Sequence, residues 1–254
     1  VIPQILEIGP IPVHSFGLMI ALLFIASVLR LGDSFAEVGL ERKLAETFVF
    51  YSVFSGLAGA RVWFIIENWS LVKSDLVGAI FSGAGFTFYG GFVVGMVVLA
   101  VLCRAHKIAL NQFFDLVGPT VALGYAIGRL GCQLSGDGDY GITTTSWLGM
   151  SYATGVVPTP AGVKVLPTPL YESTVALLIG MTLLSSKIRL KLNKPWQLMG
   201  LTLLLLSTER FFIEFIRIKE RYAGLSEAHY FSLIFGLLGL YLLIRPSLFG
   251  VRVR

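Results

Sequence analysis

The chain has 254 residues, of which 55% are hydrophobic and only 14% charged, with a net charge of +5. Soluble domains usually carry about 25% charged residues, so this chain lacks the polar side chains to cover a water-facing surface, and a bilayer is its natural solvent. The basic excess then reads as cytoplasmic loops rather than as a nucleic-acid footprint, and no nucleic-acid partner is expected.

A membrane-crossing helix needs roughly 20 largely apolar residues. The opening residues Val1 to Pro12 lack a basic n-region, and the apolar stretch Ser15 to Leu29 runs into Arg30 and a charged loop. The first span, over 14–31, is therefore expected to be retained rather than cleaved as a signal peptide. The second and third spans are predicted over 45–66 and 86–103. Between them a loop holding Gly83 and Gly85 leads into Tyr89 and the pair Gly90–Gly91, as expected of a broken or re-entrant segment lining a cavity. A fourth span covers 113–132. The segment 133–169 is rich in Gly, Thr, Ser and Pro and reads as a loop or small β-rich cap, the kind of long ordered loop that often carries function. Spans five to seven are predicted over 170–186, 196–216 and 229–245. Gly91-x-x-x-Gly95 and Gly124-x-x-x-Gly128 put small residues on one helix face, where helices can approach closely. The expected fold is an all-α integral membrane protein of about seven transmembrane helices, forming a single membrane domain over 1–254.

Orientation follows from the basic residues. With the N-terminus outside, the inner loops and tail hold twelve of the 20, including Arg42, Lys43, Arg104, Lys107, Lys187 and Arg189. The tail contributes Arg245, Arg252 and Arg254, whereas the outer segments hold only Lys73, Lys164, Arg217, Lys219 and Arg221. That bias predicts N-terminus outside and C-terminus cytoplasmic, with 133–169 on the outer face. Cys103 and Cys132 are not expected to pair. Three histidines far apart in sequence, and a Cys132 without an adjacent ligand pattern, give no reason to expect a metal.

Three arginines fall inside apolar stretches: Arg61, Arg129 and Arg210. A charge at mid-bilayer costs about 2.5–3.5 kcal/mol even on the lenient insertion scale, so such residues face a protein interior or a wet cavity. An isolated intramembrane arginine is about as often a structural ion pair or a snorkelling side chain as a functional group. Three of them, each towards the outer end of its helix, favour a shared site near the outer leaflet. Glu172, Glu209 and Glu214 lie in or at the edge of spans, and Arg210 and Glu214 are four apart on one helix face. Guanidinium forks in an apolar setting match phosphate oxygens, so the residues point to the anionic headgroup of a phospholipid.

Several segments together resemble the prolipoprotein diacylglyceryl transferase family. They are His14-Ser-Phe-Gly-Leu-Met19, Gly59-Ala-Arg61, Gly85-Phe-Thr-Phe-Tyr-Gly-Gly91, Gly128-Arg-Leu-Gly131 with Ser135-Gly-Asp-Gly-Asp-Tyr-Gly141, Pro169-Leu-Tyr-Glu172 and Arg210-Phe-Phe-Ile-Glu214. They stand in the family's order across nearly the whole chain. The resemblance implies a multi-pass bacterial inner-membrane enzyme without cofactors. Such an enzyme moves the diacylglyceryl group of phosphatidylglycerol onto the lipobox cysteine of a preprolipoprotein and releases glycerol-1-phosphate. It implies that Arg129 and Arg210 stabilise the departing phosphate, that Glu214 orients Arg210, and that Arg61, Gly90, Gly91, Tyr171 and Glu172 belong to the substrate site.

The departures from the family pattern are specific. Tyr89 stands where a histidine precedes the Gly-Gly pair, Phe16 replaces a tyrosine, and Cys132 and Ser135 replace signature asparagines. One extra residue between Gly136 and Gly141 leaves Asp137 and Asp139 as alternative equivalents of a signature glutamate. A phenol titrates near 10, so Tyr89 is a poor base but can bond the lipid. His229, at the outer end of the last span, is a further binding candidate, or simply an interfacial histidine. His14 is equally ambiguous, and His106 is expected on the cytoplasmic side. Two other functions fit the same residues: a lipid transferase with a different acceptor, and a non-catalytic phospholipid-binding or transport protein. A retinal-type sensor does not fit, because 229–245 contains no lysine.

Overall fold

The structure is a computed structural model describing residues 1–9, 11–73, 75–81, 87–192, 194–219 and 221–244. Gly83, Gly85 and the basic tail residues Arg245, Arg252 and Arg254 lie outside the described residues. An antiparallel hairpin, β1 (Gln4–Ile8) and β2 (Ile11–His14), turns at Gly9 with positive φ. The helices follow: α1 (Ser15–Glu37), α2 (Leu44–Glu67), two short turns α3 (Trp69–Val72) and α4 (Leu76–Phe81), α5 (Phe88–Ala105) and α6 (Leu110–Ser135). After a long non-helical segment come α7 (Thr168–Leu184), α8 (Ser186–Lys191), α9 (Gln197–Ile213) with a 3-10 turn over Glu214–Ile216, and α10 (Glu227–Ile244).

Among the described residues, three helices are long and apolar enough to cross a membrane, α1, α2 and α10, while Tyr89–Ala105 and Thr168–Leu184 are apolar but shorter. Their exposed side chains include Leu22, Ile25 and Leu29 on α1, Phe54 and Leu57 on α2, and Ile234 and Leu237 on α10. Water does not tolerate so much contiguous apolar surface, and hydrocarbon does. The chain is a helical membrane protein.

Several elements differ from the expectation. The first helix runs six residues further, to Glu37, and the fourth continues to Ser135, absorbing the start of the expected cap. Helix α7 stops at Leu184, and α9 tightens into its 3-10 turn after Ile213. The hairpin and the turns α3 and α4 had no counterpart in the spans, because hydropathy windows see only long apolar runs.

The chain forms two compact units, one of Leu31–Phe113 and one of Val1–Arg30 with the chain from Phe114 onward. In the first, α2 and α5 lie against each other along small residues. A Cβ on Gly91 would sit 2.8 Å from the Gly56 carbonyl oxygen, and one on Gly59 would sit 2.6 Å from that of Gly90. The aromatic rings of Phe35, Phe48 and Phe113 close the unit's core, Phe48 stacking on Phe113 at 5.0 Å.

In the second unit the same device recurs. Gly124 and Gly128 of α6 face Leu23 of α1 at 3.8 Å, Gly180 of α7 faces Leu123 of α6, and Gly200 of α9 lies against Gly239 of α10. Asp115 on α6 accepts hydrogen bonds from the backbone N–H groups of Trp196 (2.7 Å) and Met199 (2.8 Å). That carboxylate satisfies donors which helix geometry leaves unpaired, and the positive end of α9 favours its charge. Pinned there, α9 carries Arg210 about 20 Å further along its axis, at 1.5 Å per residue.

Candidate active site

Helix α6 supplies Tyr125 and, one turn on, Arg129, whose guanidinium lies over the Tyr125 ring at 5.3 Å. Helix α7 begins at Thr168-Pro169, where proline's missing N–H costs nothing, and offers Glu172 within its first turns. Helix α9 supplies Arg210, the 3-10 turn Glu214, and the extended backbone after it Arg217. All belong to the second unit.

Glu172 is fully buried and collects three guanidinium groups. Arg129 Nε lies 3.1 Å from its Oε2, Arg210 Nη1 2.5 Å from its Oε1, and Arg217 Nη1 3.3 Å from each oxygen. The Tyr125 hydroxyl also donates to Oε1, at 3.2 Å. Glu214 Oε2 lies 2.8 Å from Arg210 Nη2 and 3.7 Å from Arg217 Nε. Asp139 pairs with both Arg129 and Arg217, and Lys219 Nζ lies 3.9 Å away.

The exposures differ in a useful way. The carboxylate carriers Glu172 and Glu214 are closed off, whereas the side chains of Arg129 and Arg210 remain 15% and 23% exposed. Each guanidinium has five N–H donors in a rigid fork, and the buried carboxylates use only part of them. The arrangement fixes two partly open forks from behind. Such a surface suits a phosphate approaching from the open side.

The sequence Gly-Asp-Gly-Asp brings the cap back to this cluster. Gly136 and Gly138 both have positive φ, of 61° and 92°, which L side chains adopt at a cost. The Asp139 N–H donates to Asp137 Oδ1 at 3.2 Å, and the Asp139 carbonyl accepts from Thr168 Oγ1 at 2.7 Å. Burial alone would push the Asp139 carboxyl up, but the charges of Arg217, Arg129 and Lys219 outweigh it and hold the group below its ordinary value. Burial of Tyr152, within the cap, pushes its phenol up to about 12, and its hydroxyl donates to Gln133 Oε1 at 2.7 Å.

Of the alternative equivalents, Asp139 touches the arginines, and Asp137 supports the loop beside Cys132. The Cys132 thiol and one oxygen of each aspartate lie within 4.8 Å of one another. Asp139 is already held by Arg129 and Arg217, whose charge opposes a metal cation at that carboxylate.

His229 does not face water: it is fully buried behind Glu214. The Tyr171 hydroxyl is buried with no hydrogen-bond partner among the described residues. Arg61, Tyr89, Gly90 and Gly91 belong to the Leu31–Phe113 unit. There Arg61 is buried, donates from Nε to the Ile80 carbonyl at 3.3 Å and lies over the Phe64 ring at 5.7 Å. Tyr89 is 42% exposed, and Gly90 and Gly91 form the seam with α2.

Arg217 was missed as a site residue, having been counted among the outer-loop charges. Its spacing was the available signal: three after Glu214 and seven after Arg210, it stands where a continued helix would carry their face, although the backbone is extended there. Glu209 also lies near the cluster, close enough to feel Glu172, Arg210, Arg129 and Arg217, with neither carboxylate oxygen hydrogen-bonded among the described residues.

The family model described as prolipoprotein diacylglyceryl transferase matches residues 3–245. A protein of Clostridium perfringens named phosphatidylglycerol--prolipoprotein diacylglyceryl transferase 2 is 33% identical over 240 residues, covering 92% of this chain and 90% of its own. Proteins of the corresponding name from Dehalococcoides mccartyi and Staphylococcus haemolyticus are 31% identical (91% of this chain, 88% of theirs) and 26% identical (97% and 91%). The chain belongs to the prolipoprotein diacylglyceryl transferase family.

Proposed function

We propose that this chain transfers the diacylglyceryl group of phosphatidylglycerol to the thiol of a lipobox cysteine in a preprolipoprotein, releasing glycerol-1-phosphate. The observation that carries the reading is the pair of partly open guanidiniums, Arg129 and Arg210, anchored on one buried carboxylate, Glu172.

The step is a displacement. The cysteine thiolate attacks the glycerol carbon bearing the phosphate, a C–S bond forms, and the C–O bond to the phosphate breaks. The bonding pair leaves with the phosphate oxygen, so the phosphodiester's single negative charge becomes the double charge of a monoester. Arg129 and Arg210 offer preorganised donors where that charge develops, in a setting that strengthens them. The thiol loses its proton before or during attack. With a pKa near 8.5 it is a few per cent ionised at neutral pH, and nearby guanidiniums raise that share, so Tyr89 need not serve as a base. The displacement is redox-neutral and balanced without a cofactor.

The reading places seven spans in the bacterial inner membrane as one membrane domain, N-terminus outside, with the 133–169 cap on the outer face. The excess of basic residues in the predicted inner loops supports it. Labelling of single cysteines introduced at Lys43 and Lys164 tests it: reagent that cannot cross the membrane reaches only position 164 in intact cells.

The deciding experiment supplies purified protein with phosphatidylglycerol vesicles and a lipobox peptide, and measures peptide mass and glycerol phosphate release. Equal amounts of diacylglyceryl peptide and glycerol phosphate support the reading. Transfer undiminished in both Arg129→Ala and Arg210→Ala overturns the assigned roles. Tyr89, Phe16 and Cys132 motivate a second reading, in which the donor is the same and the acceptor differs. Glycerol phosphate release with small thiols but not with the peptide identifies it. Phospholipid binding without any release identifies a binding or transport protein.

A further inference from the structure

The approach to α10 holds a chain of groups that the displacement does not use. His229 is fully buried, its ring set edge-on against Phe211 and Phe215 at 5.2 Å and 4.5 Å between centres. Its Nδ1 accepts the backbone N–H of Ser226 at 3.1 Å, so that nitrogen carries no proton. The Ser226 hydroxyl, 3.0 Å from the same nitrogen, lies 2.8 Å from Glu214 Oε1, and a charged carboxylate is the stronger acceptor for its one proton. Glu214 turns its other oxygen, Oε2, to Arg210 Nη2 at 2.8 Å.

The chain therefore runs from the imidazole to the Ser226 backbone N–H, and from the Ser226 hydroxyl through the Glu214 carboxylate to the Arg210 guanidinium. Each link fixes the next. A carboxylate bonded through one oxygen only can still rotate about its last carbon–carbon bond. One held at both oxygens, by the Ser226 hydrogen bond at Oε1 and the Arg210 ion pair at Oε2, cannot do so without losing a buried contact. A fork that must meet phosphate in a defined plane gains from that restriction.

We propose that Ser226 and His229 are positioning residues for the transfer: together they lock Glu214 so that Arg210 presents its remaining donors to the phosphate. The proposal rests on the transfer reading above. The alternative is that the two residues only cap the start of α10, a role that governs stability and nothing else.

The test compares wild type with Ser226→Ala, Ser226→Thr, His229→Leu, His229→Gln and the double variant S226A/H229L. Three quantities are read: kcat and KM for phosphatidylglycerol, affinity for glycerol-1-phosphate by calorimetry, and the thermal midpoint in detergent. Ser226→Ala and His229→Leu are expected to lower kcat about tenfold and weaken glycerol-1-phosphate binding several-fold, with KM changed less. Ser226→Thr keeps the hydroxyl, His229→Gln keeps an acceptor, and both recover most of the loss. The double variant falls no further than the worse single one, because the two act through the same carboxylate.

Unchanged kcat and unchanged glycerol-1-phosphate affinity in Ser226→Ala overturn the proposal. So does a loss that follows the thermal midpoint through every variant without rescue. A wild type that binds glycerol-1-phosphate but transfers nothing defeats the transfer reading instead, and the affinity series then decides the positioning role alone.

Discussion

Arg217 sets one guanidinium nitrogen 3.3 Å from both oxygens of Glu172, in a place where neither side chain meets solvent. Arg129 and Arg210 hold the same carboxylate from their own helices, so α6, α7, α9 and the extended backbone beyond α9 are joined at one residue. A buried charge pair adds little over a well-packed apolar substitute, but breaking one side of it leaves the other uncompensated.

Glu172→Leu is therefore expected to be among the most damaging substitutions in the chain. It leaves three guanidiniums with one fewer buried partner, at a cost of about 3–5 kcal/mol. Thermal unfolding in detergent would show a large drop in midpoint, and transfer would be lost with it. The combined change of Glu172→Leu and Arg217→Met removes both sides of one pair and recovers part of the midpoint. Activity would not return, since Arg129 and Arg210 still lack their anchor.

Lysine in place of either open arginine separates charge from geometry. Lysine keeps the charge but presents it as a point on a flexible stem, without the planar fork. Arg129→Lys and Arg210→Lys are expected to lower kcat by about 10²–10³, the usual effect of removing one oriented donor from a developing anion. The change in KM for phosphatidylglycerol should be smaller, because charge attraction to the headgroup survives. Steady-state kinetics on protein of unaltered thermal midpoint checks both statements.

Asp139 gives the site a defined acid sensitivity. Its carboxyl is held below the ordinary value because Arg217, Arg129 and Lys219 outweigh the effect of burial. A depressed carboxylate contributes stability that is fully present above its unfolded pKa, about 3.9, and is lost as the pH falls through the folded value. Asp139→Asn should therefore be less stable than wild type at pH 7. Their midpoints should converge below about pH 4, where wild type loses the same interaction. Parallel curves from pH 7 to pH 3 would show that Asp139 is not the group responsible.

Much of this site can be read from the sequence, and the limits have physical causes. Arg129, Arg210 and Glu214 stand out because a charge in an apolar run is expensive and must be partnered. The spacing of Arg210 and Glu214 on one helical turn even names a partner. Glu172 is equally conspicuous in its span, but its role as common anchor depends on how three helices pack, which no local pattern encodes. Arg217 was hidden by its surroundings: beyond an apolar run, a basic residue looks like any loop charge. His229 misled for a related reason. It stands at a helix end, where water is the ordinary expectation, while Ser226, Phe211 and Phe215 enclose it. Helices lie near most of the apolar stretches read from the sequence. The hairpin and the turns α3 and α4 were not legible there, since short elements are fixed by tertiary contacts rather than by hydropathy.

The glycine pair of α5 allows a direct choice between packing and binding. The resemblance gives Gly90 and Gly91 to the substrate site, and the structure sets them against α2, where a Cβ on Gly90 would collide with Trp63 and the Gly59 carbonyl. A Cβ on Gly59 would itself lie 2.6 Å from the Gly90 carbonyl oxygen and 2.6 Å from Val94 Cβ. Backbone at that distance cannot yield unless the helices separate, and overpacking of this kind typically costs about 1–3 kcal/mol. Gly59→Ala and Gly90→Ala are expected to lower the thermal midpoint together, while KM for phosphatidylglycerol in the folded fraction stays near the wild-type value. Gly17→Ala on α1 is the control: nothing lies within 4 Å of its Cβ position, and alanine is the better helix former, so the midpoint should hold or rise. A raised KM at unchanged midpoint in Gly90→Ala would return that glycine to the lipid site and leave the packing role to Gly59 and Gly91.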